Sequence, residues 1–111
     1  MSDDHKAVFV YTTWPSQDAA AAVGRDLVAC ALAACVNIVP SVTSIYRWDG
    51  HVCCESEAVM IVKTIAAAVP AVERAVRAQH PATTPAIAVL PVVSGGADFL
   101  AWIGANSGGG D

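Results

Sequence analysis

Two long extended segments meet at Asp49-Gly50 in the middle of the chain, and this feature constrains the fold more than any other. Both residues of this dipeptide tolerate positive φ, which a tight two-residue hairpin turn requires. Each arm of the hairpin runs about a dozen residues, whereas ordinary strands have roughly 5–6. We therefore predict a β-hairpin that projects beyond the core of its own domain and pairs with another chain.

The two-residue turn also predicts which residues share a face of the hairpin. Residues whose numbers sum to 99 lie opposite each other. One face then carries the pairs Trp48 and His51, Tyr46 and Cys53, Ser44 and Glu55, and Val42 and Glu57. Pro40 lacks a backbone donor and predicts a β-bulge, so we expect this pairing to hold near the turn and to shift beyond Pro40.

The segments before the hairpin predict a strand and a helix. Residues 7–13 form a nearly unbroken β-rich run, typical of a central strand that is covered on both faces. Ser16 is a suitable helix N-cap, and Asp18 in the first turn complements the helix dipole. Ala20, Val23, Leu27 and Ala31 recur at helical spacing, which predicts a helix over residues 16–33.

The segments after the hairpin predict a helix, a strand and a short final helix. Val69-Pro70 begins a helix that runs to about residue 79, with Glu73 and Arg77 paired at i,i+4, and His80-Pro81 ends it. Prolines flank a strand at residues 87–90 and indicate an edge position. Phe99, Trp102 and Ile103 share a face of the last helix. The order predicts an α+β, ferredoxin-like βαββαβ sandwich with a long β2-β3 hairpin and a short C-terminal helix.

Length and composition predict one domain over residues 1–111 that associates with itself. The chain is 55% hydrophobic and only 14% charged, which is more apolar than a typical domain of its size. Oligomerisation explains the surplus of apolar surface. We expect flexible ends at residues 1–6 and 105–111.

Charge and cysteine spacing exclude several partners. The net charge is −4, and the 6 basic residues are scattered, so we expect no nucleic-acid partner. No apolar run approaches the ~20 residues needed to span a bilayer, so we expect no membrane association and a cytoplasmic location. The cysteines Cys30, Cys35, Cys53 and Cys54 lack C-x-x-C spacing, and we expect reduced thiols.

The hairpin face carries a candidate metal site. His51, Cys53 and Glu55 stand at i, i+2 and i+4, so an imidazole, a thiolate and a carboxylate could meet a copper or zinc ion. The alternative is a solvated hairpin tip with one half-buried thiol. Because no nucleophile elbow and no glycine-rich phosphate loop follows a strand, we expect no enzymatic activity.

Several segments, in one order, resemble the divalent-cation-tolerance (CutA) family. They are residues 10–15, 32–38, 44–50, Glu57, Lys63-Thr64, His80-Pro81, 85–87 and 99–103. The resemblance implies a ferredoxin-like protomer, a compact homotrimer, and a link to copper and other divalent metals.

The resemblance also implies site residues. It associates His80, in the His-Pro element, with metal binding, and Cys35 is a candidate additional ligand. The alternative role of His80 is that of a cation that complements the dipole at the end of its helix. Tyr46, Trp48, Glu57 and Lys63 would line clefts between subunits. The alternative is that Glu57 and Lys63 only form interface hydrogen bonds and an ion pair.

Three functions follow as hypotheses. The first is a cytosolic homotrimer in tolerance of divalent metals, which requires no cofactor and binds Cu(II) or a similar ion weakly through His80, with help from Cys35 or the hairpin face. The second is a regulatory or scaffolding trimer that binds a small metabolite or a protein at its clefts. The third is a stable assembly without a ligand.

Overall fold

The computed structural model of the protein describes residues 3–108, which form a four-stranded sheet with helices on both of its faces. All pairings in the sheet are antiparallel, and the strand order is β2-β3-β1-β4. The elements in chain order are β1 (Ala7–Trp14), α1 (Gln17–Ala29), β2 (Cys35–Trp48), β3 (His51–Ile65), α2 (Val69–Gln79), β4 (Ile87–Pro91) and α3 (Ala97–Ala105). The predicted α+β, ferredoxin-like βαββαβ architecture is confirmed.

The core lies between one face of the sheet and helices α1 and α2. Val10 and Val62 on the sheet, Leu27 of α1 and Val72 of α2 are almost completely buried in it. Gly24 lets α1 approach the sheet closely, because a Cβ at this position would lie 2.9 Å from a Val36 methyl carbon. The covered face is therefore the one that carries Val36 and Val62.

Strand β1 is central, as predicted, but its two faces differ. Val8, Val10, Thr12 and Trp14 are buried, and the alternate residues are only partly buried. The expectation of full cover on both faces is therefore wrong within one chain. We call the less covered face, which carries Phe9, Lys63 and Cys35 in one cross-strand row, the open face.

The hairpin confirms the register predicted from Asp49-Gly50. Asp49 and Gly50 have φ of 53° and 80°, as a turn with two left-handed residues requires. Pairing follows the predicted sum from Trp48 opposite His51 to Val42 opposite Glu57, and it shifts between Val39 and Val42. The β-bulge expected at Pro40 is therefore present.

Helix α1 is shorter than predicted: it ends at Ala29 rather than at residue 33. Ala31 adopts a left-handed φ of 60°. The Ala31 amide donates to the Val28 carbonyl, and the Leu32 amide donates to the Leu27 carbonyl. This is the Schellman arrangement, which satisfies the last carbonyls of a helix and turns the chain away.

The remaining predicted elements are present. As expected, β4 lies at the edge of the sheet, and Pro91 is its last residue. The Glu73–Arg77 ion pair on α2 has a nitrogen–oxygen distance of 3.3 Å. On α3, Ile103 is fully buried, whereas Phe99 and Trp102 are 40% and 45% exposed and stack on each other.

Parts of the ends predicted to be flexible are hydrogen-bonded in the structure, and residues 1–2 and 109–111 lie outside the described range. The Lys6 carbonyl accepts a bond of 2.9 Å from the Ala66 amide. The Ser107 hydroxyl donates to the Ile103 carbonyl at 2.6 Å. None of the helices in residues 3–108 is long and apolar enough to cross a bilayer.

Candidate functional site

The outer half of the β2-β3 hairpin has no support from the rest of its own sheet. Strand β1 pairs with β3 only from Ala58 to Ile65. Residues 42–57, which we call the outer ribbon, therefore form a two-stranded ribbon that extends the molecule to 45 Å along one axis, against 26 and 21 Å along the others. An isolated two-stranded hairpin is at best marginally stable in water.

Large apolar side chains are exposed on both faces of the outer ribbon. Trp48 is 63% exposed on one face, while Ile45 and Val52 are 69% and 71% exposed on the other. Sequence patterning singled out Trp48 but missed Ile45 and Val52, because neither face alternates cleanly between polar and apolar residues. Such a ribbon is a surface for association with other chains.

The open face also carries every predicted site residue except His80. Cross-strand pairing places them along one side of the hairpin, in the order Lys63 with Cys35, Glu57, Tyr46 with Cys53, and Trp48 with His51. Ten residues separate Cys53 from Lys63 along β3, which corresponds to roughly 33 Å. Cys35 and Cys53 therefore cannot bind one ion within a single chain.

Only the ribbon tip brings two predicted metal ligands together. His51 and Cys53 lie on the same face about 7 Å apart along β3. His51 is exposed and Cys53 is half-buried. Within residues 3–108, no group of three or more His, Cys, Asp or Glu side chains could hold a metal ion. A site at the tip would therefore need ligands from outside this chain.

Glu55, the third member of the predicted cluster, has a different partner. The Tyr46 hydroxyl donates a 2.6 Å hydrogen bond to a Glu55 carboxylate oxygen. This bond, together with desolvation and the negative charges of Glu55, Cys53 and Glu57, raises the pKa of Tyr46 to about 12. Tyr46 and Glu55 therefore satisfy each other across the ribbon.

His80 follows α2 and lies beside the end of β1, where both of its ring nitrogens are engaged. Nε2 is 2.7 Å from the Thr13 carbonyl oxygen, and Nδ1 accepts a 3.1 Å bond from the Ala82 amide. Because Nδ1 accepts, Nε2 must carry the proton that is donated to Thr13. The ring also packs on Trp14, at 4.5 Å between centroids. His80 thus ties the end of α2 to the end of β1, and its role as a metal ligand stays a prediction.

Lys63 and Glu57 are too far apart to pair within one chain, and an ion pair of either residue at a subunit interface stays a prediction. They are six residues apart on β3, which corresponds to roughly 20 Å. The Lys63 ammonium instead lies 5.5 Å from the Phe9 ring centre and 5.4 Å from that of Phe99. Phe9 and Phe99 were not predicted as partners, because their meeting depends on where α3 packs. Glu57 is half-buried, and its carboxylate forms no hydrogen bond or ion pair with another described residue.

A shallow groove of about 610 Å³ runs beside the edge strand β2. Its lining includes Arg25 and Val28 of α1, Cys35 and Ile38 of β2, and Trp102 of α3. All four cysteines are free thiols, as expected. Among the described strands, none pairs with the outer edge of β2.

The fold and the unsupported ribbon define a class of small ferredoxin-like proteins with a projecting β2-β3 hairpin. The family model described as "CutA1 divalent ion tolerance protein" matches residues 8–106. This chain belongs to that family, and the predicted resemblance is confirmed.

Several relatives match along nearly their whole length. The Divalent-cation tolerance protein CutA of Thermus thermophilus is 44% identical over 99 residues, which cover 89% of this chain and 96% of the relative. The solved structure from the same organism superposes with a TM-score of 0.88 at 43% identity and covers 92% of this chain and 99% of that one. CutA1 from Shewanella sp. SIB1 also gives a TM-score of 0.88, at 36% identity, over 92% and 95% of the two chains. Against Protein CutA of Mus musculus, 39% identical, the match spans 84% of this chain but only 52% of the relative.

Proposed function

We propose that this protein is a homotrimer that acts in tolerance of divalent metal ions. The relatives named for divalent-cation tolerance support the cellular role. The outer ribbon supports the assembly. The observation that carries the proposal is a long two-stranded ribbon without a third strand beside it, with exposed apolar side chains on both faces.

The number of subunits follows from the two faces of the ribbon. Ile45 and Val52 on one face and Trp48 on the other all need cover. In a twofold dimer each chain has a single neighbour, whereas a closed ring gives each chain two different neighbours. The smallest ring of that kind has three members.

Light scattering on Ile45→Asp tests the assembly. We expect the wild-type protein to have the mass of three chains and the variant to dissociate, because desolvation of a carboxylate at the interface is costly. Ala78→Asp, on the exposed side of α2, is the matched control and should remain assembled. Far-UV circular dichroism separates dissociation from unfolding. A wild-type protein that is folded and monomeric at micromolar concentration would refute the proposal.

We further propose that a copper-like ion binds weakly at the ribbon tip, through His51 and Cys53 together with groups from a neighbouring subunit. The exposed imidazole of His51 forms no hydrogen bond with another described residue, whereas both ring nitrogens of His80 are engaged. An imidazole and a thiol suit borderline-soft ions. Within this proposal His80 has a structural role, and Cys35 is too distant to assist in the same chain.

Calorimetric titration with Cu(II) and Zn(II) separates these assignments. We expect His51→Ala and Cys53→Ser to weaken Cu(II) binding and His80→Ala to leave it unchanged at a temperature where that variant is folded. If His80→Ala weakens Cu(II) binding and His51→Ala and Cys53→Ser do not, the metal site is at His80. Equal binding by all variants would exclude both locations.

Glu57 favours a second candidate function, the binding of a small metabolite or a protein at clefts between subunits. Its half-buried carboxylate has no hydrogen-bond or ion-pair partner among the described residues. Glu57→Gln should then weaken ligand binding without changing the mass of the assembly. If the same substitution dissociates the trimer, Glu57 instead pairs with a neighbouring subunit.

We propose binding rather than catalysis, in a cytoplasmic protein. The location stays a prediction, since relatives include a CutA named chloroplastic in Arabidopsis thaliana and one named periplasmic in Archaeoglobus fulgidus. Fractionation of cells that produce the untagged full chain tests it.

A further inference from the structure

The turn of the hairpin exposes a reactive peptide bond. Asp49 and Gly50 are both exposed, and no described residue other than Gly50 and its two chain neighbours has an atom within 4 Å of the position that a Gly50 Cβ would occupy. Asp49 is the only aspartate in the sequence that is followed by glycine. We propose that Asp49-Gly50 is a site of spontaneous aspartyl isomerisation.

The reaction begins with attack by the Gly50 amide nitrogen on the Asp49 side-chain carbon Cγ. A nitrogen–Cγ bond forms, and the amide proton and one carboxyl oxygen leave with a second proton as water, which gives a five-membered succinimide. Water then opens the ring. Opening at the side-chain carbonyl restores aspartate, and opening at the main-chain carbonyl gives isoaspartate. No oxidant or co-reactant is needed, and the overall mass is unchanged.

The structure distinguishes Asp49 from other aspartates by the state of the following amide. The Gly50 amide has no hydrogen-bond partner among the described residues. The Phe99 amide after Asp98 is bonded to the Asp98 carboxylate at 2.9 Å, and the Ala19 amide after Asp18 is bonded to Ser16 Oγ at 3.1 Å. Glycine also places no side chain in the path of the attacking group.

Local opening of the turn supplies the backbone rotation that ring closure needs. Asp49 and Gly50 lie beyond the last cross-strand pair of the hairpin, Trp48 with His51, and both are exposed. Exposed loop tips open at low cost in free energy. Isomerisation is then expected at the tip without global unfolding.

Isoaspartate would change the hairpin, because its side-chain methylene becomes part of the main chain. A two-residue turn with one extra backbone atom cannot keep Trp48 opposite His51. This loss of register would displace the apolar side chains of the outer ribbon. If the protein is the proposed trimer, the modified chain would then be released from it.

The experiment incubates the purified full chain at neutral pH and physiological temperature and follows isoaspartate over days. Protein isoaspartate methyltransferase with labelled S-adenosylmethionine detects it, and peptide mapping locates it as a peptide of unchanged mass and shifted retention. We expect label in the peptide that contains Asp49 and none in those that contain Asp18, Asp26 or Asp98. Asp49→Glu is the matched control, because it keeps the charge but would have to close a six-membered ring.

Two results would overturn the inference. Wild-type protein that gains no more label than Asp49→Glu, while the same chain in urea becomes labelled, would show that the folded turn does not react. Modified chains that remain in the trimer in proportion to their abundance would refute the effect on assembly. The mass of fresh protein, measured separately, tests the proposed trimer. The isomerisation of Asp49 is tested by the label alone and does not depend on that result.

Discussion

Replacement of Thr12 by valine tests whether a buried chain of hydrogen bonds stabilises the core. Thr12 and Trp14 are 0% and 1% exposed. The Trp14 indole Nε1 donates to Thr12 Oγ1 at 2.7 Å, and Thr12 Oγ1 donates to the Met60 carbonyl at 2.9 Å. Valine has nearly the same shape as threonine but can neither accept nor donate.

The cost follows from the groups that Thr12→Val leaves without partners. Loss of a hydrogen bond in a folded protein costs about 0.5–1.5 kcal/mol, and a buried donor left unsatisfied costs about 1–3 kcal/mol. We expect Thr12→Val to lower the free energy of unfolding by about 2–4 kcal/mol, with the stranded Trp14 indole as the largest part. Thr12→Ser keeps both bonds and removes one methyl group, which costs about 1 kcal/mol.

Urea denaturation of both variants is the assay. The protein concentration must be the same in each titration, because an assembly becomes more stable as its concentration rises. The slope of the transition should be unchanged, so the midpoints rank the variants. A Thr12→Val protein as stable as Thr12→Ser would show that the indole finds another acceptor or that the bonds contribute nothing.

Three further predictions concern the helix end, the histidine and the ribbon. Ala31→Gly should stabilise the protein by about 0.5–1 kcal/mol, since a left-handed alanine costs about 1–2 kcal/mol and the extra freedom of unfolded glycine offsets part of the gain. The control Ala22→Gly, in the exposed middle of α1, should destabilise the protein by about 1 kcal/mol in the same urea assay. Equal effects of the two substitutions would contradict the left-handed helix cap at Ala31. His80→Ala should lower the free energy of unfolding by about 2–3 kcal/mol through loss of two hydrogen bonds and a ring contact, and a variant with wild-type stability would contradict its structural role. Ultraviolet absorbance during alkaline titration should place the ionisation of Tyr46 near pH 12, and in Glu55→Gln the ionisation of Tyr46 should occur at a lower pH. The pKa of Tyr46 is higher in the folded state than in the unfolded state. The stability that this hydroxyl contributes is therefore present below about pH 10 and is lost as the pH rises through about 12.

The hairpin could be predicted from the sequence because its determinants are local. Asp49-Gly50 sets the turn, the turn sets the pairing as far as Val42 opposite Glu57, and Pro40 marks where the pairing shifts. The family resemblance gave the same fold from separate segments. The first route depends on residues that are close together along the chain, and the second on several short segments in one order.

The end of α1 and the partners of His80 could not be predicted, for different reasons. The sequence around Ala31 does not predict a helix end, because alanine is the strongest helix former and the left-handed residue after a helix is usually glycine. His80 bonds to Thr13, which is 67 residues away in the sequence, so only the folded chain reveals why its ring is fixed. A histidine at a helix end predicts either a cation or a ligand, and the structure shows a tether.

Strand β1 shows where sequence and single-chain structure differ most usefully. Its run from Ala7 to Thr13 has the composition of a strand covered on both faces, yet Phe9 and Tyr11 are only partly covered by this chain. The outer ribbon has the same imbalance on a larger scale, since Ile45 and Trp48 are apolar on opposite faces and exposed on both. Sequence composition reflects the surroundings of a residue in the state that functions, whereas the structure describes one chain. Neighbouring copies would therefore bury the apolar surface of β1 and of the outer ribbon that a single chain leaves exposed. The mass of the assembled protein tests both expectations.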